Sequence, residues 1–338
     1  MRKAMLVLAI LAVAAFASDP RLTVLGGDAR LLVNDYLENW AYPGTIGDYQ
    51  FVTGGSDTAE DVSDGWFGMV KDFGETTFGV TVNHNDYMHE VLYSPGGWGA
   101  ILSIDYNKDY NVNEVYQTDM TIGLDWGTDV ALFGNYTDLA IGVMYDSQKE
   151  DIEGENPYLT TLGLGASVRG HQDGFFNLFP IISAGFTQYA DGDDELEATM
   201  SDIMIDFGAG HNMKIAEKTN LVAGAFVGVE SISYGGDGNE DVDSDMNIYI
   251  PTLRGGVEQE VSHWLTFRAG ATSRTVYHSK GDDSDMTTSY ETYFGLGLKW
   301  NNFTLDGTIG EGFLHDGPYM VGGNGNGFLS TVAATYTF

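Results

Sequence analysis

The 338-residue chain has no cysteine, only 7 prolines and 15 Lys+Arg, and no long uninterrupted apolar run beyond its amino terminus. Each absence excludes something. Without cysteine there is no disulfide framework, so an exported chain of this kind draws its rigidity from ladders and packing. Closing a sheet on itself supplies that, because it leaves no strand edge. Set against 49 Asp+Glu, the few cations leave a net charge of −34. That disfavours nucleic acid as a partner, which needs cationic contacts to phosphate. It disfavours anionic lipid headgroups as well, and favours divalent cations and positively charged solutes. A membrane-spanning helix needs about 20 apolar residues, and none is available after the amino terminus. A chain that crosses a membrane without helices must do so as a closed barrel, which alone satisfies every strand's backbone groups in lipid.

What is present begins with Met1-Arg2-Lys3, an apolar run from Ala4 to Phe16, and then Ala17-Ser18-Asp19. This is the pattern of a secretory signal peptide, with cleavage expected after Ala17 or, as the alternative, Ser18. Its removal takes two cations away and leaves the chain more acidic still. Residues 18–44 do not alternate. Ala29, Leu32, Val33, Tyr36 and Leu37 have helical spacing, Asp28 is placed to cap them, and Asn39–Gly44 reads as a turn.

From residue 45 to the end the period is 2. Trp98, Ala100, Leu102, Ile104 and Tyr106 alternate with Gly99, Ile101, Ser103 and Asp105; Tyr116 to Trp126 and Tyr290 to Trp300 behave alike. Aromatic residues close both ends of these apolar faces. At about 3.3 Å per residue they stand about 26–34 Å apart along the strand. Tilted by about 40°, that projects to about 20–26 Å, near the apolar band of an outer-membrane barrel. With 45 Gly, 19 Tyr, 18 Phe and 6 Trp, the composition suits strands that curve and carry aromatic girdles. The expectation is an all-β, transmembrane, antiparallel up-and-down barrel of about 14 strands, with 12–16 allowed. Four connections are expected to be long and acidic: Gln148–Asn156, Asp191–Glu197, Gly235–Asp245 and Gly281–Asp285. Those around Asn301-Asn302, Ser262-His263 and Ala216–Asn220 are expected to be tight. The last strand is expected to pair with a first strand near Thr45–Thr53.

The strand faces opposite the apolar ones carry charge: Asp105, Asp119, Asp125, Arg169, Asp202, Asp206, Arg254, Glu258, Arg268, Arg274, Glu291, Lys299 and Asp306. In a dry core such a set is prohibitive. In a hydrated lumen the residues keep water and pair with one another. They are the lumen-facing candidates, either as a solute path or as a cross-barrel ion-pair network. Asp237, Asp241, Asp243 and Asp245 place hard oxygens at alternate positions, a weak Ca2+ pattern with no twelve-residue EF-hand loop around it. The seven histidines are scattered, no HExxH or Gly-x-Ser-x-Gly occurs, and no enzyme activity or further cofactor is expected. Two functions fit: passive passage of small solutes, hydrophobic ones included, or a non-transporting surface barrel whose acidic loops bind cations or a partner protein.

The closing stretch Phe328–Phe338, alternating and ending in Phe, resembles the last strand of bacterial outer-membrane barrels, where that ending is an assembly signal. This resemblance implies an outer-membrane location and the assembly machinery and outer-membrane lipid as partners. The order of parts (a signal peptide, a short helical segment after Leu25-Gly26-Gly27, a Pro-containing turn, many strands, a terminal Phe338) resembles the long-chain fatty-acid transporter family. The resemblance implies that Ala29–Gly44 sits inside the barrel as a plug, with hydrophobic solutes crossing beside it. Trp40-Ala41-Tyr42-Pro43-Gly44 stands where those relatives carry Asn-Pro-Ala.

Overall fold

The computed structural model describes residues 20–33, 35–57, 65–84, 88–110, 116–132, 135–151, 158–171, 178–192, 197–236, 244–281, 283–309 and 329–338. The signal-peptide expectation for residues 1–17 lies outside them. Six strands are short: β1 (Phe51–Asp57), β2 (Gly65–Phe73), β3 (Thr76–His84), β4 (Met88–Ser94), β15 (Phe303–Ile309) and β16 (Leu329–Thr337). Ten are longer: β5 (Trp98–Tyr110), β6 (Tyr116–Leu132), β7 (Asn135–Asp151), β8 (Tyr158–Gly170), β9 (Leu178–Gly192), β10 (Glu197–Ala216), β11 (Thr219–Gly236), β12 (Asp245–Ser262), β13 (Leu265–Lys280) and β14 (Asp283–Trp300). Each pairs antiparallel with its neighbour in sequence, and β16 returns to β1 with Phe51 opposite Thr337, closing the barrel.

Among the described residues the count is 16 and not 14. The strand hardest to see in sequence is β4. Its inner positions Glu90, Leu92 and Ser94 are buried while His89, Val91 and Tyr93 are exposed. The alternation is real, but Leu92 is apolar on the inner face because it packs on Ile46 and Phe51. Two apolar faces blur a period of 2. The first strand also starts later than expected: Pro43–Asp48 forms a 3-10 turn with Pro at its start, and β1 begins at Phe51. The expected loop Gly281–Asp285 is a tight turn, since Lys280 pairs with Asp283 and Gly281 takes a positive φ of 55°. The expected tight turns do occur: β14 and β15 join at Asn301, whose φ is 54°, and β10–β11 and β12–β13 connect through two residues each. By the antiparallel order, the connections after β7, β9, β11 and β13 all lie at one end of the barrel.

Outward positions carry exposed apolar side chains, among them Leu124, Ile141, Leu164, Ile205, Val229 and Phe294. Trp98, Trp126, Tyr290 and Trp300 are exposed on the same side of their strands. The inner face is where burial concentrates, and the cause is the N-terminal segment.

Candidate functional site: a segment across the lumen and the cavity it leaves

Residues 20–50 do not form the single helix expected over Ala29–Leu37. They run as α1 (Pro20–Val24) and three 3-10 turns, Ala29–Leu31, Tyr36–Trp40 and Pro43–Asp48. The break has a local cause. Asp28 caps the first 3-10 turn through the Arg30 amide, and Asp35 caps the next through the Leu37 amide. Between them the Leu32 carbonyl accepts from the Arg169 guanidinium and the Leu31 carbonyl from the Asn212 side chain (3.4 Å), so wall residues take carbonyls that a longer helix would use.

The segment is held by two apolar clusters. Leu25, Leu31, Leu32 and Leu37 pack with Phe179, Ile181, Val222 and Phe226 of β9 and β11. Ile46 packs with Phe51, Val70, Leu92 and Ile101 of β1, β2, β4 and β5. Backbone meets backbone where the wall has no side chain: a Cβ at Gly270 would collide with the Val24 carbonyl, and one at Gly99 with the Pro43 carbonyl.

Charge completes the attachment. The Arg21 guanidinium donates to both Glu258 oxygens (2.8 and 2.9 Å) and to Asp35. Glu258 also accepts from Arg268 (2.6 Å), which reaches Asp306 at 2.5 Å. Across the barrel, Arg169 is almost fully buried, bridges Glu38 and Asp138 at 2.5 Å each, and stacks over the Tyr42 ring at 4.4 Å. Burial penalises the Asp28 carboxylate, yet Arg30 and Arg254 outweigh it and hold the group below its ordinary value. Burial dominates at Glu38 and raises it despite Arg169. Burial likewise pushes the Tyr42 hydroxyl up to about 12.

The sequence-predicted lumen residues fall into two sets. Arg169, Arg254, Glu258, Arg268 and Asp306 belong to the contacts just described, and Asp206 lies 3.8 Å from Arg30. Arg274 stacks over Tyr249 at 4.2 Å, and Glu291 accepts from Tyr293 and Thr272 (3.3 Å). Asp119 accepts from Gln117 at 3.2 Å. Asp202 has one enclosed oxygen without a hydrogen-bond partner. Asp105 shares the face of the buried Ile101 and Ser103, and Lys299 is exposed near the β14–β15 turn on the face of Gly295 and Gly297. Of the Ca2+ candidates, Asp237, Asp241 and Asp243 lie outside the described residues. Asp245 engages Lys280 (3.1 Å) and Tyr234 (2.8 Å). Among the described residues no three His, Asp or Glu side chains are grouped to hold a metal.

Sequence reasoning missed the partners on the inner segment, namely Arg21, Arg30, Asp35 and Glu38, and Asp138 on the wall. A signal for the first two existed: in a chain with 15 Lys+Arg, two arginines lie within ten residues of each other here. They mark a stretch that meets carboxylates.

The segment does not fill the lumen. A cavity of about 530 Å3 remains between Trp40, Ala41 and Pro43 and the inner wall of β6–β9. That wall is small: Gly123, Gly142, Gly163, Gly165, Ser167, Ser183 and Gly185 line the space. A Cβ at Gly165 would meet nothing within 4 Å. Asp125 lies across Gly142, where any side chain would collide with its carboxylate.

No family model matches the chain and no curated protein does. The resemblance to the long-chain fatty-acid transporters therefore rests on the order of parts alone. Among solved structures the chain is similar to the FrpB iron transporter of Neisseria meningitidis (10% identity, TM-score 0.41, 77% of this chain and 45% of that one). It is also similar to the translocator domain of the autotransporter NalP from Neisseria meningitidis (14%, TM-score 0.32, 72% and 88%). A third is the alcaligin outer-membrane receptor FauA of Bordetella pertussis (8%, TM-score 0.34, 78% and 68%). The chain spans less than half the length of the first. These likenesses go no further than the barrel, and function is argued from the chain's own geometry.

Proposed function

We propose that the chain is a bacterial outer-membrane barrel through which small solutes pass passively, along the β6–β9 wall and beside the N-terminal segment. The observation that carries this reading is the cavity of about 530 Å3 against a wall of glycine and serine, while the opposite wall is in contact with the segment. A barrel with a purely structural interior has no reason to keep one wall bare. The membrane setting is supported by the exposed apolar outer face, far larger than a soluble monomer tolerates. It is supported also by aromatic residues at strand ends and by an even number of described strands.

Planar-bilayer recording on the folded full chain tests the reading. A small steady conductance is expected, rising several-fold when residues 20–48 are deleted. No conductance and no solute flux from either protein would leave a non-transporting barrel.

A further inference from the structure

Three features stand out beyond the passage itself: the apolar groove on the outer wall near Pro180 and Pro251, the polar cluster of Glu230, Tyr249 and Asn247, and the cavity beside Trp40. The outer groove faces the surface already assigned to lipid. The Glu230 carboxylate is engaged by its own neighbours, Asn247 and Tyr249. The cavity carries chemistry that the fold does not use.

Its lining holds three carboxylates, Glu90, Asp125 and Asp206, and no Lys, Arg or His. Two of the three have structural partners. Asp206 faces Arg30 at 3.8 Å. Glu90 accepts from the Trp40 indole N–H (2.9 Å) and the Thr81 hydroxyl (2.7 Å), which fixes both the carboxylate and the ring. Asp125 differs. It is half-buried, lies flat on the wall over Gly142, and makes no ion pair among the described residues. A carboxylate drawn out of water without a countercharge is unfavourable. Half-buried at the edge of an open cavity, Asp125 leaves a place for a countercharge supplied from outside the chain. The rest of the lining is apolar or small: Trp40, Pro43, Ile101, Met144, Met204 and the glycines. A volume of about 530 Å3 is in the range of small-molecule sites. An indole is also the strongest ring partner for a cation.

We propose that this cavity is a binding site for a small organic cation, an amine or quaternary ammonium with a compact apolar body, whose charge is matched by Asp125 and whose body lies against Trp40 and the glycine wall. This rests on the passage reading and gives it a substrate class: the barrel favours organic cations over neutral and anionic solutes of equal size. The bare wall at Gly163 and Gly165 is what makes room for the body, and Glu90 acts as a positioning residue for the Trp40 ring.

The test uses the full chain in detergent, with choline chloride as probe and 3,3-dimethyl-1-butanol as its neutral isostere, read by titration calorimetry. Choline is expected to bind at least tenfold more tightly than the isostere, and Asp125→Asn is expected to weaken choline at least tenfold. Gly165→Leu, whose Cβ would meet nothing within 4 Å and whose side chain enters the cavity that Gly165 lines, is expected to abolish binding. Heat-modifiable gel migration reports folding of each variant, so either variant suffices if the other misfolds. Equal binding of choline and the isostere, no binding of choline, or unchanged binding by folded Asp125→Asn or Gly165→Leu would each overturn the site. Bilayer recording separates the two proposals. Conductance in KCl without choline binding leaves passage standing and removes the site, whereas choline binding without conductance keeps the site and removes passage.

Discussion

The wall made by β12–β14 and the wall made by β7–β9 face the same N-terminal segment and treat it in opposite ways. Both are rich in glycine on the inner face. On β12–β14, Gly256 and Gly270 let the backbone at Val24 and Leu25 come against the sheet, and Gly295 makes room for the Val24 side chain. Arg254, Glu258 and Arg268 then tie it down. On β7–β9, Gly163, Gly165 and Gly185 face space, and the segment is met instead toward the tight-turn end, by Phe179, Ile181, Ser167, Ser183 and Arg169. The same residue type makes contact on one side and vacancy on the other. What differs is whether the segment arrives, and charge decides where it arrives. Four carboxylates and three arginines join Arg21, Asp28 and Asp35 to one wall at Glu258, Asp306, Arg254 and Arg268.

That contrast can be broken from either side. The largest effect is expected from Arg268→Ala, which strands Asp306 in a buried site and leaves Glu258 with Arg21 alone; breaking a buried pair by removing one partner costs about 3–5 kcal/mol. Urea unfolding followed by intrinsic fluorescence would measure it, with Arg169→Ala giving a loss of the same order through Glu38 and Asp138.

Gly270→Ala comes next. Its methyl group would occupy the position of the Val24 carbonyl, so the segment must shift. A destabilisation of about 1–3 kcal/mol is expected, as for other overpacked sites, together with a higher conductance as the segment lifts off its wall. An unchanged conductance would show that the contact on β13 does not set the passage.

Acid probes the charged attachment without mutation. Asp28 is held below its ordinary 3.8, so its contribution is present above that pH and is lost as pH falls through the lowered folded value. Glu38 is raised above its ordinary 4.5; its contribution has the opposite sign, present at low pH and lost as pH rises through the folded value. Mild acid therefore protonates Glu38 first and leaves the segment in place. Release is expected only well below pH 3.8, which limited digestion by an acid-active protease would follow. Cleavage within residues 20–48 that is already complete near neutral pH would contradict this order.

The smallest effect is the sharpest complement to Gly270→Ala. Gly165→Ala adds a methyl group to empty space, and its stability change is expected within about 0.5 kcal/mol, as for a surface substitution. A large loss would mean that β7–β9 is packed and not bare.

Much of the barrel was legible because a strand's period is local. Trp98–Tyr106 and Tyr290–Trp300 announced their faces, and Asn301-Asn302 announced its turn, from neighbours alone. Legibility failed where the inner segment touches the wall. Leu92 on β4 and Phe51 on β1 are apolar on the inner face because a distant piece of chain lies there, so the alternation that marks a strand was blurred at those positions. The helix expected over Ala29–Leu37 failed for the same reason seen from the other side. Its spacing is that of an apolar face, but Arg169 and Asn212, more than 130 residues away in sequence, take the carbonyls between its two caps.

The sequence by itself determined a sheet with one apolar and one polar face, an acidic chain, and the tight turns at Ala216–Asn220, Ser262-His263 and Asn301-Asn302. Those properties follow from alternation, turn residues and charge, each readable within a few positions. Only the tertiary structure decided the register in which β16 closes on Phe51–Asp57, which wall residues hold the N-terminal segment, and that Asp125 is left over an open cavity while Glu258 and Asp306 share an arginine. Those outcomes depend on which distant residues meet when sixteen strands close a ring, and no local pattern carries that information.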